Sequence, residues 1–167
     1  MQLNEKIKKC LKEGQKGERH KGIRRIKPSE ELSEEHIRKA IHNFNAMSFF
    51  HENGYSDWSA SAAFYSLYHC LLGLLAKKGY ESRNQNCTFA VIESLIDKKE
   101  IAITKNELKE IFDSDVTEDL VHSDKILDIR ERMQYSMQTS LNESEYESLR
   151  KRTKTLFDKI RQEIEKE

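Results

Sequence analysis

Residues 58–79 read WSASAAFYSLYHCLLGLLAKKG, a stretch that is apolar on nearly every face of a helix and that opens after Ser56-Asp57 and closes at Gly79. It is too long for a strand and holds no proline. A helix with no polar side has to be surrounded, so this segment predicts a central, buried helix with neighbours on several sides. Ser59, Ala60, Ala62 and Ala63 are small enough to let one of those neighbours approach closely. The longest uninterrupted apolar run, Cys70 to Ala76, is too short to cross a bilayer.

The flanking sequence supplies the neighbours. Upstream, Ile37, Ala40, Ile41, Phe44, Met47 and Phe50 recur at three- and four-residue spacing and form one apolar stripe that ends near Asn53-Gly54. Pro28-Ser29 and Ser33, each followed by a pair of glutamates, suit the start of that helix. Downstream, TFAVIESLIDKKE carries Phe89, Ile92, Leu95 and Ile96 on one side, with Thr88 placed to cap it. ITKNELKEIFD brings Leu108, Ile111 and Phe112 behind a Thr104–Glu107 capping-box spacing. Val121, Ile126, Ile129 and Met133 mark a further helix, and Asn142 begins a last amphipathic one through Tyr146, Leu149, Thr153, Leu156, Phe157, Ile160 and Ile164. With 35% charged residues, 37% hydrophobic residues, six glycines and one proline in 167 residues, the composition favours long helices over sheet. No strand-like alternation, internal repeat or low-complexity tract interrupts this all-α reading.

The zero net charge hides an asymmetry. Residues 1–28 hold ten Lys/Arg against three acids, a local charge of +7, so the rest of the chain carries −7. Residues 1–28 therefore read as a basic N-terminal arm, a short helix over Asn4–Lys12 followed by the glycine-loosened linker GQKGERHKGIRRIKPSE, and residues 29–167 as the helical body. Such an arm suits phosphate backbones, an acidic partner or the body itself. It has no interleaved aromatic on which bases would stack. Cys10, Cys70 and Cys87 show neither zinc-site pairing nor a disulfide framework and are expected as free thiols in the cytoplasm.

The ordered combination AAFYSLYHCLLGLLAKKGYESRNQNCTFAVIESL, a polar interval, IRERMQY and a long closing helix resembles the HEPN domain (higher eukaryotes and prokaryotes nucleotide-binding) from about Glu34 to Ile164. The central helix of stand-alone members follows Tyr-x-x-(Phe/Tyr)-His and then Lys-Gly-(Ile/Tyr)-Glu-x-Arg. Here these are Tyr65, Tyr68 and His69, then Lys78, Gly79, Tyr80, Glu81 and Arg83. The resemblance implies an up-and-down bundle of four to five helices, a homodimer, and a minimal nucleotidyltransferase as the other half of a toxin–antitoxin pair acting on RNA or regulated by nucleotides. The alternative is a non-catalytic helical module that binds a nucleotide or a partner.

Members that cut RNA carry arginine followed four to six residues later by histidine, a permanently charged group for the phosphate and a titrating group for the ribose hydroxyl. No histidine follows Arg130 or Arg132, so this nuclease motif is absent. The run Arg130-Glu131-Arg132-Met133-Gln134-Tyr135 is instead similar to the branch reading Arg-x-x-Ala-Asp-Tyr, with Gln134 in the place of aspartate. A phenol is a poor base at neutral pH, which casts Tyr135 as a hydrogen-bond donor or, by the resemblance, as an acceptor of AMP. Arg130, Tyr135 and His69 are thus the candidate reactive residues, and Arg83, Arg132, Gln134 and Tyr65 the candidate binding residues. Arg130 and Arg132 lie about 200° apart around a helix, so Arg130 is expected to face inward, on the side of Gln134 and Ile126, and Arg132 to face solvent or a dimer partner. His122 stands at i, i+3 spacing from Asp119, which suits a pair, but the favoured reading is an exposed surface residue. The spacing of His36 and His42, six residues, does not suit a helical ligand pair, and neither a metal site nor a cofactor is expected.

Overall fold

The central helix extends from Ser56 to Lys77 in the computed structural model, which describes residues 2–112 and 125–166. In chain order the described residues form α1 (Leu3–Gly14), β1 (Ile23–Arg25), α2 (Glu30–Glu52), α3 (Ser56–Lys77), β2 (Tyr80–Ser82), α4 (Gln85–Asp97), α5 (Lys105–Lys109), α6 (Ile126–Tyr135) and α7 (Glu143–Glu165). Asp119, Val121 and His122, to which the sequence assigned a pair and a core position, lie outside the described residues.

α3 is enclosed by α2, α7, α6 and α4, as its all-round apolar composition requires. By length and composition it would also suit a bilayer, but 83% of its apolar window is buried within the chain. Small residues set how closely α2 lies. Ser59 Oγ donates to the Met47 carbonyl and Ser66 Oγ to the Ala40 carbonyl, both at 2.8 Å, across a seam where Ala40, Met47, Ala60 and Ala63 have no exposed surface. At Gly73 a β-carbon would come within 3.2 Å of the Ser33 carbonyl oxygen, so the crossing there leaves no room for a side chain.

Helix starts follow the side chains available. Ser29 Oγ accepts from the Leu32 N–H at 3.1 Å to begin α2. Thr104 and Glu107 form the capping box expected for α5, and Asn142 and Glu145 form another at the start of α7. The start of α4 differs from expectation. Asn84 is its cap, accepting from the Cys87 N–H at 3.0 Å, and Thr88 lies one turn inside with its hydroxyl hydrogen-bonded to Ser82 Oγ and the Asn84 carbonyl. Asn caps as well as threonine does, and here it comes first in the chain.

The amino-terminal segment departs most from the sequence reading. The stretch expected as a linker contains β1, which pairs antiparallel with β2 in the register Ile23–Ser82, Arg24–Glu81 and Arg25–Tyr80. Three-residue strands are too short to show alternation. Cys10 and Cys87 are joined in a disulfide between α1 and α4, and only Cys70 remains a thiol, buried, with its pKa pushed up by that burial. The expectation of three free thiols fails because the two partners lie 77 residues apart and meet only through packing. Gly14, expected to loosen the chain, is a close-contact point. A β-carbon there would fall 1.9 Å from the Ile23 carbonyl oxygen. Arg24 Nε donates to the Gly14 carbonyl at 2.6 Å and its Nη2 to that of Gly17. His20 is buried among these groups and its Nδ1 accepts from the Gly22 N–H.

Candidate functional site

The side of α3 that lacks full cover carries Trp58, Tyr65 and His69, spaced seven and four residues apart so that they stack along one face. Trp58 is 58% and Tyr65 40% exposed. α6 borders this face. Its buried side, Ile126, Ile129 and Met133, packs into the core, and from the same helix Arg130 lays its guanidinium on an aromatic ring. The guanidinium carbon is 3.9 Å from the centroid of Phe64 and 5.8 Å from that of Tyr65. Its Nε is buried and makes no hydrogen bond among the described residues. Arg130 is therefore held flat by a ring rather than by a carboxylate of those residues, and the hydrogen-bonding edge of the fork is not neutralised by them.

The platform beneath it is rigid. Phe64 is buried and lies parallel to Tyr68 at 6.0 Å, both approach Phe89, and Phe89 stacks on Phe112 at 4.3 Å. The Tyr68 hydroxyl lies 3.3 Å from Thr88 Oγ1, and burial raises its pKa, so this phenol is structural.

One turn from Tyr65, His69 meets a second histidine across the α2–α3 seam. His36 Nδ1 and His69 Nδ1 are 3.1 Å apart, with ring centroids at 5.4 Å. Burial, then the neighbouring His36 and Lys39, pushes His69 down to about 4, and burial also lowers His36 against the opposing pull of Glu35 and Glu81. Burial thus holds both rings toward the neutral form.

The other candidates are placed as follows. Tyr135 ends α6 and is 80% exposed, followed by Met137 at 98%. Gln134 is exposed beside it. Arg132, expected to face solvent or a dimer partner, turns toward the start of α7. Its side chain is 13% exposed and forms an ion pair with Glu145, whose other oxygen completes the α7 capping box. The pairing follows from the turn between α6 and α7, which returns the start of α7 to the end of α6. Arg83 is likewise engaged, donating from Nε to Glu81 at 3.1 Å and from Nη1 to the Glu18 carbonyl, where it fastens the amino-terminal segment. The structure thus brings Arg130, Tyr65 and His69 to one face and assigns Arg132 and Arg83 to the frame. Phe64 and His36 were not foreseen. An aromatic at i−1 of Tyr65 was the available signal for the first, whereas the second pairs across helices, beyond any spacing rule. A cavity of about 450 Å³ between α5 and α7 lies apart from this face, and both of its carboxylates are used internally, Glu110 with Arg152 and Glu107 with Lys159.

The described residues form an all-α bundle around a Tyr-x-x-Tyr-His helix, with a ring-supported arginine on the adjoining helix. The HEPN domain model matches residues 33–163, most of the chain, and the protein belongs to the HEPN family. Comparison with curated proteins returns no match.

Proposed function

We propose that this chain is the toxin-like half of a HEPN/minimal-nucleotidyltransferase pair, with Arg130 gripping a phosphate of RNA or of a nucleotide and Tyr135 accepting AMP from the partner. The observation that carries the reading is the guanidinium of Arg130, seated on Phe64 with a buried Nε that no described residue pairs. A charge held this way costs little to reorganise when an anion arrives, and its planar edge matches phosphate oxygens. Tyr65 and His69 on the same face supply a stacking ring and a neutral imidazole. Tyr135, 80% exposed at a helix end, is within reach of a partner's active site.

The modification balances simply. The Tyr135 oxygen attacks the α-phosphorus of ATP, the bond to pyrophosphate breaks, and the phenolic proton passes to a base of the partner or to water. A homodimer presenting two such faces, working in the cytoplasm where RNA and ATP occur, is part of the proposal. The Cys10–Cys87 bond must then withstand cytosolic thiols through its enclosure.

A binding-module reading is favoured by a separate observation, the lack of any histidine after Arg130. Both are tested together. Incubation with the co-encoded nucleotidyltransferase and ATP should add mass in AMP units, and Tyr135→Phe should abolish the addition. Growth arrest on induced expression that Arg130→Ala relieves marks the toxin, whereas indifference to expression marks the module. Modification at another residue by an active partner removes Tyr135 from the scheme.

A further inference from the structure

The His36–His69 pair does more than close a seam. We propose that it is a transition-metal site, in which the two facing Nδ1 atoms bind one divalent ion of the Zn²⁺ or Cu²⁺ class and solvent fills the remaining positions. The geometry carries the assignment. Imidazole nitrogens bind zinc at about 2.0–2.1 Å, so two of them on one tetrahedral or octahedral ion stand about 2.9 to 3.4 Å apart. The pair stands at 3.1 Å. One ligand comes from α2 and the other from α3. The seam between these helices is fixed on one side of the pair by the Ser66 hydrogen bond to Ala40 and on the other by the close crossing of Gly73 and Ser33, so the fold sets how closely the two histidines' backbones approach.

The surroundings suit an ion with open positions. Both histidines are half-buried and border the uncovered face of α3, which admits water. Glu35 and Glu81 act on His36 in the sense that favours a cation, and Lys39 acts on His69 in the opposite sense. No cluster of three or more His, Cys, Asp or Glu exists among the described residues, which makes this a two-ligand, exchangeable site and not a structural zinc centre. With imidazole ligands alone the preference should follow Cu²⁺ over Zn²⁺. The inference does not depend on the AMP-transfer reading, since it concerns only the two imidazoles.

The test uses the full-length protein and metal salts alone. Titration calorimetry with ZnCl₂ near pH 7 should show one site per chain, weakened at least tenfold in His36→Gln and in His69→Gln, while His42→Gln, which alters an exposed histidine of α2, leaves it unchanged. Cu²⁺ paramagnetic resonance should show coupling to two nitrogens, reduced to one or lost in either variant. Circular dichroism of the variants separates loss of ligand from loss of fold. Wild-type binding no tighter than that of the two variants, or a copper spectrum indifferent to both substitutions, overturns the site.

Discussion

Replacing Arg130 by methionine separates a residue that binds from one that merely packs. The substitution removes the guanidinium over Phe64, an attraction worth about 0.5–2 kcal/mol when partly desolvated. It also removes a buried N–H that no described residue pairs, whose presence costs about 1–3 kcal/mol. The thioether returns part of the ring contact, about 0.3–1.5 kcal/mol. The last two contributions oppose the first, so the change in folding stability should lie between about 1 kcal/mol lost and about 4 kcal/mol gained. Phosphate affinity has no such compensation. A charge-assisted hydrogen bond is worth about 1.5–3 kcal/mol, which predicts binding of a labelled single-stranded RNA or of ATP weakened about ten- to a hundredfold. Urea denaturation gives the first quantity and fluorescence anisotropy at fixed salt the second. A variant destabilised by more than about 2 kcal/mol that still binds like the wild type would refute the reasoning and return Arg130 to the frame.

Further expectations concern the histidine pair and the amino-terminal segment. His69 takes its proton only near about 4 in the folded chain, whereas an unfolded chain takes it near 6.5; the unfolded state binds more protons between these values, so stability is full above about 6.5 and falls as pH drops toward 4. His69→Gln should flatten the difference between denaturation midpoints at pH 7 and 4.5, with His36 and His20 keeping their own shares, and an unchanged difference would count against a buried neutral His69. Reducing the Cys10–Cys87 bond, which closes a loop of 77 residues, should lower stability by about 2–4 kcal/mol, read from urea midpoints with and without reductant. Gly14→Ala drives a methyl group into the Ile23 carbonyl and should detach α1, seen as faster amide exchange in residues 3–14 and 23–25 while α3 stays protected. Joint reversal of the exposed Lys8, Lys9 and Lys12 to glutamate should weaken RNA retention at low salt and make its salt dependence shallower by about 0.7 for each phosphate the arm no longer neutralises; identical slopes would take the arm out of RNA binding.

The helical frame was readable because it rests on local periodicity. The all-round apolar α3, the stripe of α2 and the capping boxes of α5 and α7 each depend on residues within one or two turns of each other. What escaped the sequence depends on partners far along the chain. Cys10 finds Cys87, β1 finds β2 and Arg83 finds the Glu18 carbonyl only once α1 lies on α4, so a segment with the composition of a linker became a bound one. The site divided in the same way. Arg130 was expected inward on the face of Ile126 and Gln134, and it does turn onto Phe64 although Gln134 is exposed, whereas the burial of Arg132 against Glu145 needed the α6–α7 turn. His36 was judged by its distance to His42 along one helix, and its actual neighbour is 33 residues away.

The joint between α2 and α3 also sets an order of events at synthesis. Only Asn53, Gly54 and Tyr55 separate the two helices, so closing this hairpin costs little loop entropy, and the hydroxyls of Ser59 and Ser66 find their carbonyls as soon as α3 has emerged. The basic segment, made earlier, has nothing to hold until β2 and Cys87 follow α3 out of the ribosome. Until then the lysines of α1 lack the support that contact with α4 and β1 gives them in the finished fold. The Cys10–Cys87 bond ties α1 to α4, and with it the position of those exposed lysines.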